Sequence, residues 1–524
     1  MADGSVTERS PMKTTRNVDL DKFRLRSFIA KLIAIGEMEV HEEAVSLADL
    51  SATIESSSKA KYFKRVGAEQ YEMVSAVSGS RARLAAAFGT DERNVIHEYM
   101  RRMNDPQPVI EVPSSDAPVH QVVLKGDDID LTKLPFHLQH ELDGAPYISS
   151  GIDYTVDPAT GRTNVGCRRL MFRDRRTMRA NLSQPSDLKK SYLACVERGE
   201  TLPASFAIGS HPLDYLAAGL RLPGDEFGLV ATLRGEPVPM VRGLTNGVLA
   251  PADAEMIIEG YFDELGYREH EGPYGEFYGF YGPVHMDPVF HVTAICMRKD
   301  VLHQTVFHSG GLLGWTESGN LGGLNAELQI WKVLRAAGIE PAAVLAVPAS
   351  NGRQHVRVAL RRGQPGQARY AISALHAIPR VKHVFIVDDD VDVFSDEQME
   401  WAMSARFRAS KDIVIATGYP GFYMDPCTDA NGLVDKAGFD LTAPYGVPDT
   451  IETRRPRAPR FNGHKRFGSA SEALRSGPMF FSQVMEALGS SDGREVALEL
   501  NTLYEQGILT RLRDGEWALK DASS

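Results

Sequence analysis

Cysteine is scarce in this chain. Cys167, Cys195, Cys296 and Cys427 are scattered through 524 residues without a CxxC pair, which excludes a disulfide scaffold and suits a reducing cytoplasm. Long apolar runs are also missing, since none approaches the roughly 20 residues of a membrane span. The start MADGSVTERSPMKTTRNVD lacks the hydrophobic stretch of a secretory signal, and residues 1–20 are expected to form a disordered tail. Positive charge is in deficit: the formal net charge of -11 argues against a general polyanion-binding surface, and nucleic acid is not an expected partner. Neither GxSxG nor HExxH occurs and no GK[ST] follows a glycine-rich turn, which removes the commonest hydrolase and P-loop explanations. What is there is ordinary globular composition, 43% hydrophobic and 24% charged, enough for roughly three domains.

The texture of the chain changes along its length. Residues 21–110 mix amphipathic helices with short apolar runs, as in a small α/β unit, and end in the proline-rich RMNDPQPVIEVPSSDAPVH. Residues 111–305 carry short β-rich runs such as HQVVLKG, ISSGIDYTVD, FGLVATLRG, PVPMVRG and VFHVTAICMR, predicting a mostly antiparallel sheet or barrel. Helical inserts are expected at PSDLKKSYLACVERG, with Ser186 as N-cap, and at PADAEMIIEGYFDEL, with Pro251 in the first turn. Residues 306–460 alternate helices with apolar strands and predict an α/β domain with its own sheet. Residues 461–524 hold two helical runs and an Asp514-Gly515 turn, a winged-helix-like order. The second run carries Glu495, Glu499 and Glu505 against Arg494, a charge balance that favours an interaction cap over a DNA reader.

Several segments invite chemistry. EGPYGEFYG places Glu271 and Glu276 on a backbone that Gly272, Pro273 and Gly275 must bend; the alternative is a solvated turn. The glycine-rich SGGLLGWTESGNLGGLNAE opens a helix and suits a phosphate cradle or a wall over a pocket. Asp388, Asp389, Asp390 and Asp392 in VFIVDDDVDVF suit a divalent ion or the capping of strand and helix ends. In GRTNVGCRRLMFRD, a strand places Asn164 and Arg169 on opposite faces, so a partnership between them needs a bulge or a ligand wrapped around the edge.

Together DLTKLPFH, APYISSGIDYTVDPATGRTNVGCRR, LPASFAIGSHP, LPGDEFG, TNGVLAPADAEMIIEG, EGPYGEFYG and HVFIVDDDVDVF resemble the UbiD family of reversible decarboxylases, over about residues 110–420. The resemblance implies a split-barrel-like flavin-binding β domain between the two α/β regions, an overall α/β (α+β) fold, and prenylated FMN as cofactor. By the same resemblance the catalytic group falls on Arg169, Glu271 and Glu276, with Glu276 as proton donor to a covalent substrate–cofactor adduct. Mn²⁺ or Mg²⁺, with K⁺ nearby, is implied to join the cofactor phosphate to Asn164 and Glu226, while Arg169 also touches the cofactor. Where the family has a metal-binding histidine this chain has Asp187, an acceptable hard oxygen ligand. His308, Trp315, Phe422 and Tyr423 fall in segments that wall the family's substrate pocket, and their bulk suits a flat aromatic or heteroaromatic acid, including phenazine-type acids. The resemblance further implies a cytoplasmic homodimer or higher homo-oligomer, supplied with cofactor by a flavin prenyltransferase. The competing readings are an FMN-dependent oxidoreductase and a winged-helix regulator that senses an aromatic acid.

Overall fold

The computed structural model describes residues 18–221, 224–443, 456–461 and 464–520. Most of the expected disordered tail, residues 1–17, lies outside the described residues. The chain divides into two compact units, residues 1–442 and 443–524.

The centre of the first unit is a closed barrel. Its strands are β1 (Tyr147–Val156), β2 (Thr163–Phe172), β3 (Thr177–Ala180), β4 (Leu202–Ile208), β5 (Met256–Phe262) and β6 (Val289–Met297). They run in the order β5-β4-β1-β2-β3-β6 and β6 pairs again with β5, every neighbour antiparallel. Closure leaves these six strands no free edge among themselves. Leu170, Met178, Phe206, Ile258, Phe262 and Phe290 belong to one buried cluster, with Phe206 and Phe290 packed edge to face at 4.8 Å. Such aromatic pairs add to plain area burial.

Two expectations are corrected here. The segment PADAEMIIEGYFDEL is not a helix: Met256–Phe262 is a barrel strand between β4 and β6, with all but Tyr261 buried. A strand covered on both faces loses its alternation, so its apolar residues imitate helical spacing. Gly260 sits where β5 and β6 slip register, and a Cβ there would meet the His291 carbonyl oxygen at 2.0 Å. Conversely FGLVATLRG is helical. Asp225 caps it by accepting from the Phe227 amide, and Gly235 closes it in the left-handed conformation at φ 75°. The helical insert at Asp187–Arg198 forms as expected, with Ser186 Oγ accepting from the Lys189 amide. These two helices are α1 (Asp187–Arg198) and α2 (Glu226–Arg234).

Before the barrel, Met38–His41, Ala60–Val66 and Tyr71–Ser75 form a sheet whose fourth strand, His303–Thr305, comes from beyond β6. After it, α3 (Glu317–Ala336) leads into a five-stranded mixed sheet, ordered Pro341–Ala346, His355–Leu360, His383–Asp388, Leu433–Asp440, Ile413–Pro420. Two of the aspartates after His383–Asp388 are held by cations, Asp390 by both Arg406 terminal nitrogens at 3.0 and 2.6 Å and Asp392 by Arg93 at 2.6 Å. They serve the fold.

The second unit orders helices Ala470–Leu474, Phe481–Leu488 and Arg494–Glu505 before the hairpin Leu509–Arg511/Trp517–Leu519. It has its own core around Leu474, Val484, Val496, Leu500 and Leu509. The first of these helices was not read from the sequence.

Candidate active site

Arg169 lies on β2 where β1 carries an additional residue. Pairing steps from Ile148–Leu170 to Gly151–Arg168, so Ser149 and Ser150 oppose the position of Arg169. The bulge lies on β1, so β2 keeps its alternation and Asn164 and Arg169 have separate partners, Asp153 for the first and Glu271 and Glu276 for the second. The loop after Glu271 is pinned on both sides. Glu269–Glu271 pairs with His285–Asp287, Tyr274–Gly275 pairs with Tyr281–Gly282, and a Cβ on Gly275 would strike the His140 ring at 2.3 Å.

Both acids of this loop converge on Arg169. Its Nε and Nη2 donate to the two Glu271 oxygens at 2.7 and 2.8 Å, and its Nη1 donates to Glu276 Oε1. The guanidinium also stands 4.4 Å over the Tyr274 ring. Burial disfavours charge on both partners, yet the pairing more than offsets it: the Glu271 carboxyl is held below the usual carboxylate range and Arg169 well above its own. Behind Glu271, His285 Nε2 lies 3.2 Å from Oε2 and 3.1 Å from Asp287 Oδ2. The Asp287 hydrogen bond raises the His285 pKa. Glu271 is fully enclosed, whereas Glu276 retains a partly open side chain, 13% exposed.

The oxygen-rich group expected to hold a metal is only partly gathered. Asn164 Nδ2 donates to Asp153 Oδ2 at 2.6 Å, which turns the amide nitrogen away and leaves its oxygen for a ligand. Glu226, first residue of α2, accepts from the Val165 amide at 2.7 Å. Burial, then the charges of Asp187 and Asp153, raise its pKa. Asp153 is pushed up to about 6 by complete burial, partly offset by Arg168. This crowding of hard oxygens suits Mn²⁺ or Mg²⁺. Asp187, however, is engaged by Arg162 at 3.3 Å and Lys190 at 3.2 Å. Among the described residues, the sets of three His, Cys, Asp or Glu ligands within 4.8 Å are two others, Glu271–His285–Asp287 and His120–Glu259–Cys296. In the first, Arg169 occupies both Glu271 oxygens. In the second, Glu259 already accepts from the Leu244 and Thr245 amides and the Thr245 hydroxyl.

Of the residues expected to wall a substrate pocket, His308 lines a cavity, and Phe422 and Tyr423 pack against each other at 4.8 Å outside its lining. His308 shares that cavity, of about 240 Å³, with Ser149, Cys167, Phe277 and Ser318. Burial holds its imidazole neutral, with a pKa down to about 3, and it pairs with the Ser318 hydroxyl. Phe422 packs against Tyr278 at 5.5 Å and Phe277 at 6.1 Å. Tyr423 is near enough to Glu276 for that charge, after burial, to help push its phenol up to about 12. Trp315 sits 42% exposed in the turn Leu313–Trp315, and Tyr423 is more exposed still at 57%. Sequence reasoning missed His285, Asp287, Tyr274, Arg353 and Arg380. His285 and Asp287 had a signal, since residues two apart on a strand share a face. The arginines had none.

A buried Arg between two carboxylates stands on a strand of the barrel, and comparison with known proteins gives the class of the chain. Residues 110–311 match the Rift-related domain and residues 319–441 the C-terminal domain of 3-octaprenyl-4-hydroxybenzoate carboxy-lyase. The chain belongs to the UbiD family and is an enzyme of the decarboxylase class. It is 31% identical over 426 residues to anhydromevalonate phosphate decarboxylase of Methanosarcina mazei, covering 80% of this chain and 95% of that one. The UbiD-class enzyme HmfF of Pelotomaculum thermopropionicum, solved with FMN, superposes with a TM-score of 0.77 at 29% identity, over 83% of this chain and 97% of that one. The 3,4-dihydroxybenzoic acid decarboxylase AroY of Klebsiella pneumoniae gives a TM-score of 0.75 at 25% identity, over 85% and 98%. No helix among the described residues is long and apolar enough to cross a membrane.

Proposed function

We propose that this chain catalyses the reversible, non-oxidative decarboxylation of an aromatic or heteroaromatic acid with prenylated FMN. The observation that carries the reading is Arg169 held between Glu271 and Glu276 beside an aromatic-lined cavity. The solved relatives include a 3,4-dihydroxybenzoic acid decarboxylase and a form of HmfF in complex with the prenylated cofactor. Loss of CO₂ from an aromatic ring leaves an electron pair on a ring carbon; the cofactor, when bound, supplies the sink for that pair.

The protein's share is orientation and proton transfer. Arg169, fixed by its fork to Glu271, presents a permanent positive charge to the departing carboxylate. Glu276, the more open acid, delivers a proton to the carbon that lost CO₂ and regains one from solvent. Asn164 and Glu226 would hold the metal at the cofactor phosphate, with Asp187 joining once freed from Arg162, and K⁺ nearby. His308, Phe422 and Tyr423 flank a flat ring, with Phe277 and Tyr278 in place of the outlying Trp315. A flavin prenyltransferase supplies the cofactor, and the working form is a homo-oligomer.

The test is expression with a flavin prenyltransferase, anaerobic purification, and native mass and absorbance of the bound cofactor. A prenylated FMN mass with a divalent ion and CO₂ release from an aromatic acid are expected; plain FMN with nicotinamide-dependent turnover would replace this reading by an oxidoreductase. In the same preparation Glu276→Gln keeps the cofactor and loses turnover by about 10²–10⁴-fold, together with deuterium uptake from D₂O.

A further inference from the structure

The cavity lined by His308 and by Ser149, which lies opposite Arg169 across the β1–β2 pairing, contains two guanidiniums, Arg353 and Arg380. Neither has a carboxylate partner among the described residues, whereas the buried Arg83, Arg169 and Arg234 each pair with Glu or Asp. Burial, then the charge of Arg380, draws the Arg353 pKa down to about 10, and burial likewise lowers that of Arg380. Arg353 and Arg380 are half-buried, and holding two like charges together in a cavity with no counter-charge favours an anion from outside the chain.

Both residues are held in place by backbone features with no other evident purpose. Gly352 adopts φ 67°, and a Cβ there would lie 2.1 Å from the Gly319 oxygen and 2.4 Å from the Gly323 nitrogen. The loop before Arg353 therefore rests directly on α3, with Arg353 Nε 3.5 Å from where a Gly322 Cβ would be. This accounts for the glycines of SGNLGGLN: they admit a neighbouring loop. Arg380 takes φ 70°, a left-handed conformation rare for a side-chain-bearing residue, and its guanidinium stands 4.1 Å over Phe422. Phe422, under Arg380, packs in turn on Tyr423 at 4.8 Å, and Tyr423 feels the charges of Glu276, Arg169 and Arg380.

We propose that Arg353 and Arg380 form a second anion subsite, selecting acids that carry, besides the carboxylate at Arg169, another carboxylate or a phosphate. The planar fork of arginine matches both groups. The inference deepens the decarboxylase reading by naming its substrate class, and rests on it only for the fate of the first carboxylate.

The test is calorimetric titration of the full-length protein, purified with its flavin, with benzoate, isophthalate, terephthalate and inorganic phosphate. One of the two diacids binds at least about tenfold more tightly than benzoate, and phosphate competes with it. Arg353→Gln and Arg380→Gln reduce that advantage to within about threefold at unchanged flavin content and melting temperature, and Arg380→Lys restores part of it. Equal binding of benzoate and both diacids to the native chain overturns the proposal. So does loss of flavin in the glutamine variants, which would assign the pair to the cofactor phosphate. Selective binding of a diacid without CO₂ release from any acid leaves the subsite standing and removes the decarboxylase reading instead.

Discussion

Arg169 holds Glu271 with two nitrogens and Glu276 with one, and the two acids differ in what their removal exposes. Glu271→Gln strips the fork from a buried guanidinium and should cost about 3–5 kcal/mol, read as a marked fall in melting temperature. Glu276→Gln leaves that fork intact, so its melting temperature should stay near that of the native chain while turnover is lost. The convergence of these acids was legible because glycine and proline forbid regular structure between them. Asp187 was legible as an oxygen donor, and its pairing with Lys190 is a local i,i+3 contact on one helix, but its capture by Arg162 depends on a neighbouring strand end. Arg353 and Arg380, separated by a helix and a strand, carry no spacing that betrays a meeting.

At the scale of elements, local pattern succeeded where a segment meets water on one face and failed where it does not. The helix Asp187–Arg198 has buried Leu188, Ser191, Tyr192 and Cys195 at helical intervals and was read correctly. β5 and α2 are buried almost throughout, so neither shows a period, and their tertiary partners decide the outcome. The contact between α3 and the Gly352 loop is another property of paired elements. Gly352→Ala should destabilise the protein by about 1–3 kcal/mol, seen in thermal unfolding, because both φ and the abutting Gly319 backbone oppose a methyl group.

For the whole molecule, pH tests the packing around the strand His303–Thr305. His137 and His303 are held neutral by burial, each with a pKa down to about 4, and His308 follows at about 3. An unfolded histidine titrates near 6.5, so these three sites bind up to three more protons in the unfolded chain as pH falls from there toward 4, and His211 and His355, also pushed down by burial, add in the same sense. The contribution of these three is therefore full above about pH 6.5 and should decline at up to about 4 kcal/mol per pH unit below it. Unfolding monitored by circular dichroism across pH 7 to 4 checks the slope, and His303→Asn should make it shallower by about 1.4 kcal/mol per pH unit.

That same strand constrains how the protein is made. Tyr71–Ser75 leaves the ribosome early, yet its parallel partner His303–Thr305 is synthesised only after the entire barrel. At ordinary elongation rates the gap of about 230 residues lasts roughly 10–50 s. During that interval the nascent first sheet has an unpaired edge, and its completion seals the barrel's exit to its entrance.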